Sequence, residues 1–122
     1  AQMTELARRA KTASRQLATL TPAEKNACLH AMADALAAER REIRDANAQD
    51  LEAAACLGLS KPMLERLELT AARIDAMARG VREVAELPDP VGRLLDERTR
   101  PNGLKLRKLT CPLGVVVIIY ES

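Results

Sequence analysis

The chain has 122 residues, the size of one domain, and its 19 basic and 17 acidic residues leave a formal charge of only +2. So small a charge does not favour polyanion binding. Because Tyr120 is the one aromatic residue, the stacking platforms of nucleic-acid-binding modules are excluded as well. The hydrophobic share of 48% is that of a globular protein, and no apolar run approaches the roughly 18 residues of a membrane span. We therefore expect neither nucleic acid nor a membrane among the partners.

As far as about Leu87 the chain is rich in alanine and leucine at helical spacing, which predicts four to five helices. The first is expected over residues 4–18. Its apolar face consists of Met3, Leu6, Ala7, Ala10, Ala13 and Leu17. The second is expected to begin at Thr21-Pro22-Ala23-Glu24, which has the residues of a capping box with proline at the first helical position. Its predicted buried stripe consists of Cys28, Met32, Ala35 and Leu36.

Three further helical segments follow. Residues 39–57 predict a third helix, with Gly58 just past its end and with Ile43, Leu51 and Ala54 facing inward. A short helical turn is expected around residues 62–67. Thr70 is placed to cap a last helix, which Pro88 and Pro90 bring to an end. The face of that helix consists of Ile74, Met77, Ala78, Val81, Val84 and Ala85.

The remainder of the chain predicts strands. Residues 93–99 and 104–110 flank Arg100-Pro101-Asn102-Gly103, a typical turn sequence, so we expect a β-hairpin with one wet face or a polar interface. The continuous β-branched run at residues 115–119 is typical of a strand buried on both faces of a parallel sheet. Because no second strand of this kind follows, we expect the chain to be the front part of a larger α/β protein.

Candidate chemistry is sparse. Cys28, Cys56 and Cys111 are odd in number and lack a C-x-x-C pair, so neither a disulfide framework nor a metal site is predicted, and the expected compartment is the cytoplasm. Cys28 and His30 would point about 200° apart on a helix, so they do not form a nucleophilic pair, and Cys28 is expected to be a buried structural thiol. The mixed charges around Arg40, Arg41 and Arg44 are typical of a solvated helix face.

Tyr120 and Glu121, the two residues after the predicted buried strand, are stronger candidates for contact with a ligand than the cysteines or the arginines. Open α/β sheets bind ligands outside the carboxyl ends of their strands, so residues there have a raised chance of touching a ligand. Ordinary loop packing is the alternative explanation.

The sequence of residues 112–122, Pro-Leu-Gly-Val-Val-Val-Ile-Ile-Tyr-Glu-Ser, resembles the segment P-x-G-V-x-x-x-I-Y-E-[AS] of the γ-glutamyl phosphate reductase (glutamate-5-semialdehyde dehydrogenase) family. Other matching blocks, in the family's order, are Ala46-Asn47-Ala48-Gln49-Asp50-Leu51, Leu67-Glu68-Leu69-Thr70 with Arg73-Ile74, and Asp89-Pro90-Val91-Gly92. The family's chain is much longer, so the resemblance supports a fragment independently of the orphan strand.

The resemblance implies an N-terminal fragment of the aldehyde-dehydrogenase-like α/β fold. Residues 1–92 would be helices of the nucleotide-binding domain, residues 93–111 the β-hairpin of the oligomerisation element, and residues 112–122 the first core strand of the nucleotide-binding sheet. A homo-oligomer would form through the hairpin that runs from Arg93 to Thr110.

The reaction implied by the resemblance is the NADPH-dependent reduction of L-glutamyl 5-phosphate to L-glutamate 5-semialdehyde and phosphate in proline biosynthesis. Ile119, Tyr120, Glu121 and Ser122 match a segment that lines the cofactor and substrate cleft. The family's cysteine nucleophile lies beyond residue 122, so no catalytic residue is assigned here and the 122-residue chain alone is expected to be inactive.

The alternative hypothesis is a complete helical interaction module whose hairpin pairs between subunits. Light scattering of the purified chain separates the two hypotheses. A cooperative, well-folded dimer would favour the module, and an aggregating or partly molten chain would favour the fragment.

Overall fold

The structure, a computed structural model that describes residues 2–119, has five helices followed by a two-stranded antiparallel hairpin. The elements are α1 (Gln2–Leu17), α2 (Pro22–Ala38), α3 (Arg40–Cys56), α4 (Lys61–Leu67), α5 (Ala71–Ala85), β1 (Leu94–Thr99) and β2 (Lys105–Leu109). The predicted series of four to five helices followed by a β-hairpin is confirmed. Backbone contacts divide the chain into two units, Ala23–Leu87 and a second drawn from Ala1–Pro22 and Pro88–Ser122.

Helix α1 has an amphipathic sequence, but none of its described residues is buried. Met3 is 74% exposed and Leu6 is 57% exposed, although both lie on the predicted apolar face. Periodicity identifies which side of a helix is apolar, whereas burial also needs a surface to cover that side. On the polar side, the Arg8 guanidinium donates hydrogen bonds of 2.9 and 2.6 Å to the two carboxylate oxygens of Glu5, one turn earlier.

This pair gives a testable titration. Because Arg8 stabilises the ionised carboxylate, the pKa of Glu5 is held below its usual 4.5, and we expect a carbon-13 NMR titration of the Glu5 carboxyl to give a value under 4.5. Since the folded pKa is lowered, the pair's stabilisation of α1 is present above the unfolded pKa and is lost as the pH falls through the folded pKa. Arg8→Gln should raise the pKa of Glu5, and Arg9→Gln should leave it unchanged. Equal changes of the Glu5 pKa in the two variants would contradict the assignment of the shift to Arg8.

The Ala23–Leu87 unit is built around small side chains and one large one. Ile74 is fully buried, and Ala33, Ala54, Ala78 and Ala85 are at most 7% exposed. Helix α5 contributes three of these residues on one face, which confirms the centre of its predicted stripe. At the margins of that stripe, Met77 and Val84 are 47% and 52% exposed. Alanine at the contacts lets helices approach closely, and Ile74 is the one large apolar side chain that is fully buried among the described residues.

Helix α2 buries a different face from the predicted one. Ala33 is its buried residue, whereas Cys28 is exposed and Met32 is 57% exposed. The expectation that Cys28 is a buried structural thiol is therefore wrong. In the alanine-rich sequence of α2, apolar residues occupy more than one side, and packing rather than periodicity selects the side that is covered. The predicted side, with Met32 and Leu36, instead lines an apolar surface groove together with Ile43 of α3.

Two ion pairs connect the helices of this unit. The Arg82 guanidinium of α5 donates to the Asp34 carboxylate of α2 at 2.6 Å, and Arg40 at the start of α3 pairs with Asp75 of α5. The four side chains are between 42% and 72% exposed. Pairs this exposed add little stability, so they serve mainly to orient the helices that the core holds together.

The short connection between α4 and α5 has its backbone groups satisfied by two side chains. Asn47 of α3, only 6% exposed, donates from its amide to the Leu67 carbonyl at 3.0 Å and accepts from the Leu69 amide at 2.7 Å. The Arg73 guanidinium donates to the carbonyls of Glu65 and Glu68 at the end of α4. A buried polar side chain within α3 was not predicted, because the surrounding polar residues indicate a solvated face.

The predicted cap of α5 is confirmed and gives a second test. The Thr70 hydroxyl oxygen accepts a hydrogen bond of 3.2 Å from the Arg73 amide, in the extended backbone conformation of an N-cap residue. Thr70→Ala should destabilise the unit by about 1 kcal/mol in urea unfolding, while Thr70→Ser keeps the acceptor and most of the stability. Indistinguishable unfolding midpoints for the alanine and wild-type chains would refute this role.

The strand expected over residues 115–119 does not form in this chain. Residues 110–119 have neither helix nor strand, and the side chains from Val115 to Ile119 are between 42% and 94% exposed. A strand exists only when a neighbour accepts and donates its backbone hydrogen bonds, and the sheet within residues 2–119 contains only β1 and β2.

None of the helices described within residues 2–119 is long and apolar enough to cross a bilayer.

Candidate functional site

The strongest candidate for a functional site is the hairpin arm, residues 93–111, with the linker that leads into it, residues 88–92, and the apolar segment that follows it, residues 112–119. The tip of the arm is the predicted turn. The Arg100 amide donates to the Leu104 carbonyl at 2.9 Å, and Gly103 has a φ of +85°, which glycine adopts without strain. The Asn102 carboxamide accepts from the Leu104 amide at 3.2 Å and closes the turn.

The strands of the arm carry paired charges. Glu97 lies directly opposite Arg107 in the antiparallel register, and their side chains are joined at 3.2 Å. Asp96 faces Lys108 across the ladder and is bonded at 2.7 Å to Arg98 of its own strand. Opposite charges facing each other favour this register. Because Asp96 and Glu97 are adjacent in β1, the two pairs lie on opposite faces of the ladder, so charge is not confined to one wet face.

Exposed leucines accompany these charges. Five leucine side chains of the arm are between 44% and 56% exposed: Leu94, Leu95, Leu104, Leu106 and Leu109. Within residues 2–119 the sheet has two strands, so the outer edge of each strand is open. Open edges with apolar side chains are a template for pairing with another surface. The arm therefore has the properties of a docking element rather than of a catalytic centre.

The base of the arm is closed by Thr110. Its backbone amide donates to the Arg93 carbonyl at 3.1 Å, and its carbonyl accepts from the Gly92 amide at 3.0 Å. Its hydroxyl accepts from the Arg93 amide at 2.9 Å and donates to the Pro90 carbonyl. The sequence placed Thr110 only at a strand end. A threonine opposite an X-Pro-X-Gly segment is the local signal that could have indicated the contact.

The four positions predicted to bind the cofactor begin at the end of the apolar segment. Ile119 is 94% exposed, and Tyr120, Glu121 and Ser122 lie outside the described residues. Gly114, with a φ of +92°, stands just before the β-branched run. The structure thus places the first of these positions in solvent, and the cofactor-binding role of all four stays a prediction.

Among the residues that the structure describes, the cysteines and the other potential metal ligands do not assemble a site. Cys28, Cys56 and Cys111 are exposed free thiols, and within residues 2–119 no three potential metal ligands come together. Arg40, Arg41 and Arg44 line a surface depression on α3. However, Asp75 pairs with Arg40, and Asp45 lies 3.8 Å from Arg41, so carboxylates offset most of the positive charge.

Two curated relatives are similar over nearly the whole chain. Gamma-glutamyl phosphate reductase of Paramagnetospirillum magneticum is 51% identical over 120 residues, and that of Mesorhizobium japonicum is 52% identical over the same length. Each match covers 98% of this chain and 28% of the relative. No family model matches the chain.

Two solved structures agree with the sequence relatives. Gamma-glutamyl phosphate reductase of Thermotoga maritima superposes with a TM-score of 0.86 at 34% identity, over 89% of this chain and 26% of that one. Gamma-glutamyl phosphate reductase of Saccharomyces cerevisiae superposes with a TM-score of 0.80 at 35% identity, and the match covers 88% of this chain and 28% of that one. The chain therefore spans a little over a quarter of the length of these proteins, and it resembles the N-terminal part of γ-glutamyl phosphate reductase.

Proposed function

We propose that this chain, which resembles the N-terminal part of γ-glutamyl phosphate reductase over 98% of its length, is the N-terminal portion of such an enzyme. The whole protein would reduce L-glutamyl 5-phosphate to L-glutamate 5-semialdehyde and phosphate with NADPH, in the cytoplasm and in proline biosynthesis. The observation that carries this proposal is the 51% and 52% identity to two proteins of that name, together with the TM-score of 0.86.

Each part of the chain has a proposed role in that protein. Residues 1–92 would be helices of the nucleotide-binding domain, and residues 93–111 would join subunits in a homo-oligomer. Residues 112–122 would become the first strand of the nucleotide-binding sheet. The exposure of the β-branched run supports the last role, because a strand former that lies in solvent lacks the neighbours of a parallel sheet.

The chemistry would be shared with residues beyond this sequence. A cysteine thiolate outside the chain would attack the acyl phosphate carbon and expel phosphate, forming a thioester. NADPH supplies the hydride that reduces this acyl group when the cofactor is bound. Ile119, Tyr120, Glu121 and Ser122 are proposed to line the cofactor cleft at the carboxyl end of the first strand. The 122-residue chain alone is therefore expected to show no turnover.

A chimera tests the proposal directly. The part of the Paramagnetospirillum magneticum enzyme that aligns with this chain is replaced by the 122 residues, and the reductase is assayed in reverse with glutamate 5-semialdehyde, phosphate and NADP+. We expect NADPH formation comparable to that of the unmodified enzyme. A folded, soluble chimera without activity would contradict the proposal, and activity with NAD+ alone would overturn its cofactor assignment.

Two matched samples complete the experiment. The 122-residue chain alone is expected to be inactive in the same assay, and turnover by it would show that the catalytic segment is not needed. A chimera without residues 93–111 is expected to have a smaller molar mass by light scattering, because the proposed subunit contact is removed. An unchanged mass would contradict the oligomerisation role without affecting the proposed reaction.

A further inference from the structure

The connection that leads into the hairpin arm is held in one conformation. Pro88 and Pro90 restrict the backbone on either side of Asp89, and the Asp89 carboxylate accepts from the Val91 amide at 2.9 Å. Gly92 then turns the chain with a φ of +77°. These five residues, 88–92, form a tight linker that is held by an internal hydrogen bond.

Thr110 joins this linker to the far strand of the arm. It makes four hydrogen bonds to the 90–93 segment, two from its backbone and two from its hydroxyl. The hydroxyl acts at once as acceptor from the Arg93 amide and as donor to the Pro90 carbonyl. Only serine and threonine provide both functions at this length, and the β-branch of threonine also restricts its rotamer.

We propose that Thr110 is a positioning residue, which fixes the direction in which the hairpin arm leaves its linker. The leucines and the charged ladder would then be presented in one orientation to a second copy of the chain. A docking element that is already ordered loses less conformational entropy on association than a mobile one. The partner rests on the proposed oligomerisation role, whereas the bonds of Thr110 themselves can be tested separately.

The test compares Thr110→Val with Thr110→Ser in the 122-residue chain. Valine keeps the shape of threonine but removes both hydroxyl bonds, so amide hydrogen exchange at Arg93 should accelerate about tenfold, the effect of one lost hydrogen bond. The mid-ladder amides of Arg98 and Leu106 should stay close to their wild-type rates, and serine should retain protection at Arg93. Equal acceleration at all three amides, or no change at Arg93, would overturn the proposal.

Sedimentation of the chimera carrying the same substitutions provides the second readout, with Thr99→Val as the matched hydroxyl deletion at the other end of the arm. Association should weaken in Thr110→Val, recover in Thr110→Ser and be unchanged in Thr99→Val. A chimera without these substitutions that stays monomeric would contradict the oligomerisation role, and with it the presentation to a second copy. If Thr110→Val associates as strongly as the protein without the substitution, the positioning role of Thr110 is wrong and the oligomerisation role is unaffected.

Discussion

Replacing Ile74 by alanine should destabilise the Ala23–Leu87 unit by about 3 kcal/mol, since buried isoleucine-to-alanine changes remove apolar contacts and leave a cavity. Ile74 is fully buried, and the other buried apolar side chains described in the unit are alanines. Small neighbours have few rotamers with which to refill the space, so relaxation should recover little of the loss. Urea unfolding of the 122-residue chain, followed by helical circular dichroism, measures the change.

Met77→Ala is the matched control for this substitution. Met77 lies three residues further along the same helix and is 47% exposed, so its truncation should cost less than about 1 kcal/mol. Both changes introduce alanine, so helix propensity rises at both positions and differs between them by only a few tenths of a kcal/mol, roughly a tenth of the expected effect. Equal losses at the two positions would show that Ile74 does not lie in the packed centre of the unit.

The second large effect is expected for Asn47→Ala. Alanine leaves the Leu67 carbonyl and the Leu69 amide without the partners they have in the connection between α4 and α5. An unsatisfied backbone group costs about 1–3 kcal/mol when it is buried, and because these two groups are partly buried we expect a combined loss of about 2 kcal/mol despite the higher helix propensity of alanine. The same urea experiment measures it.

Two variants sharpen this test. Asn47→Asp keeps an oxygen acceptor for the Leu69 amide but loses the amide donor to the Leu67 carbonyl, so at pH 7 it should still be less stable than the wild type. Gln49→Ala changes an exposed amide on the same helix and should be nearly neutral. A neutral Asn47→Ala would mean that solvent satisfies the connection.

The fold was predictable wherever the signal is local. Pro22, Gly58 and Thr70 mark helix boundaries through their backbone preferences and hydrogen-bonding groups, and the structure has helix ends at or beside each of them. The Arg100–Gly103 turn likewise follows from the φ angles that proline and glycine allow. These features depend on a few consecutive residues, so a single sequence contains the information.

Burial was less predictable, since it depends on residues distant along the chain. On α2 the apolar pattern also suits the side of Cys28 and Met32, yet packing covers Ala33. Asn47 resembles its solvated neighbours in sequence, and only the approach of the α4–α5 connection gives its amide two partners. The β-branched run has strong strand propensity but no neighbouring strand.

In the candidate site, too, the features set by neighbouring residues were predictable and those set by distant contacts were not. The paired charges of the arm, such as Glu97 with Arg107, could be foreseen because a hairpin register fixes which residues face each other. The contacts of Thr110 with Pro90 and Arg93 could not, because they depend on how the linker folds back against the end of β2. The proposed cofactor cleft needs elements outside this sequence, so Ile119 alone cannot define it.

The two apolar sides of α2 affect how mutational tolerance should be read. In a saturation scan of the 122-residue chain scored by folding, polar substitutions at Met32 should be accepted and those at Ala33 rejected. In the chimera scored by growth without proline, selection would act on both sides of the helix, provided that the second side is covered there. Positions that tolerate substitution in the first scan but not in the second would then identify the surface of this chain that packs against the remainder of the chimeric protein.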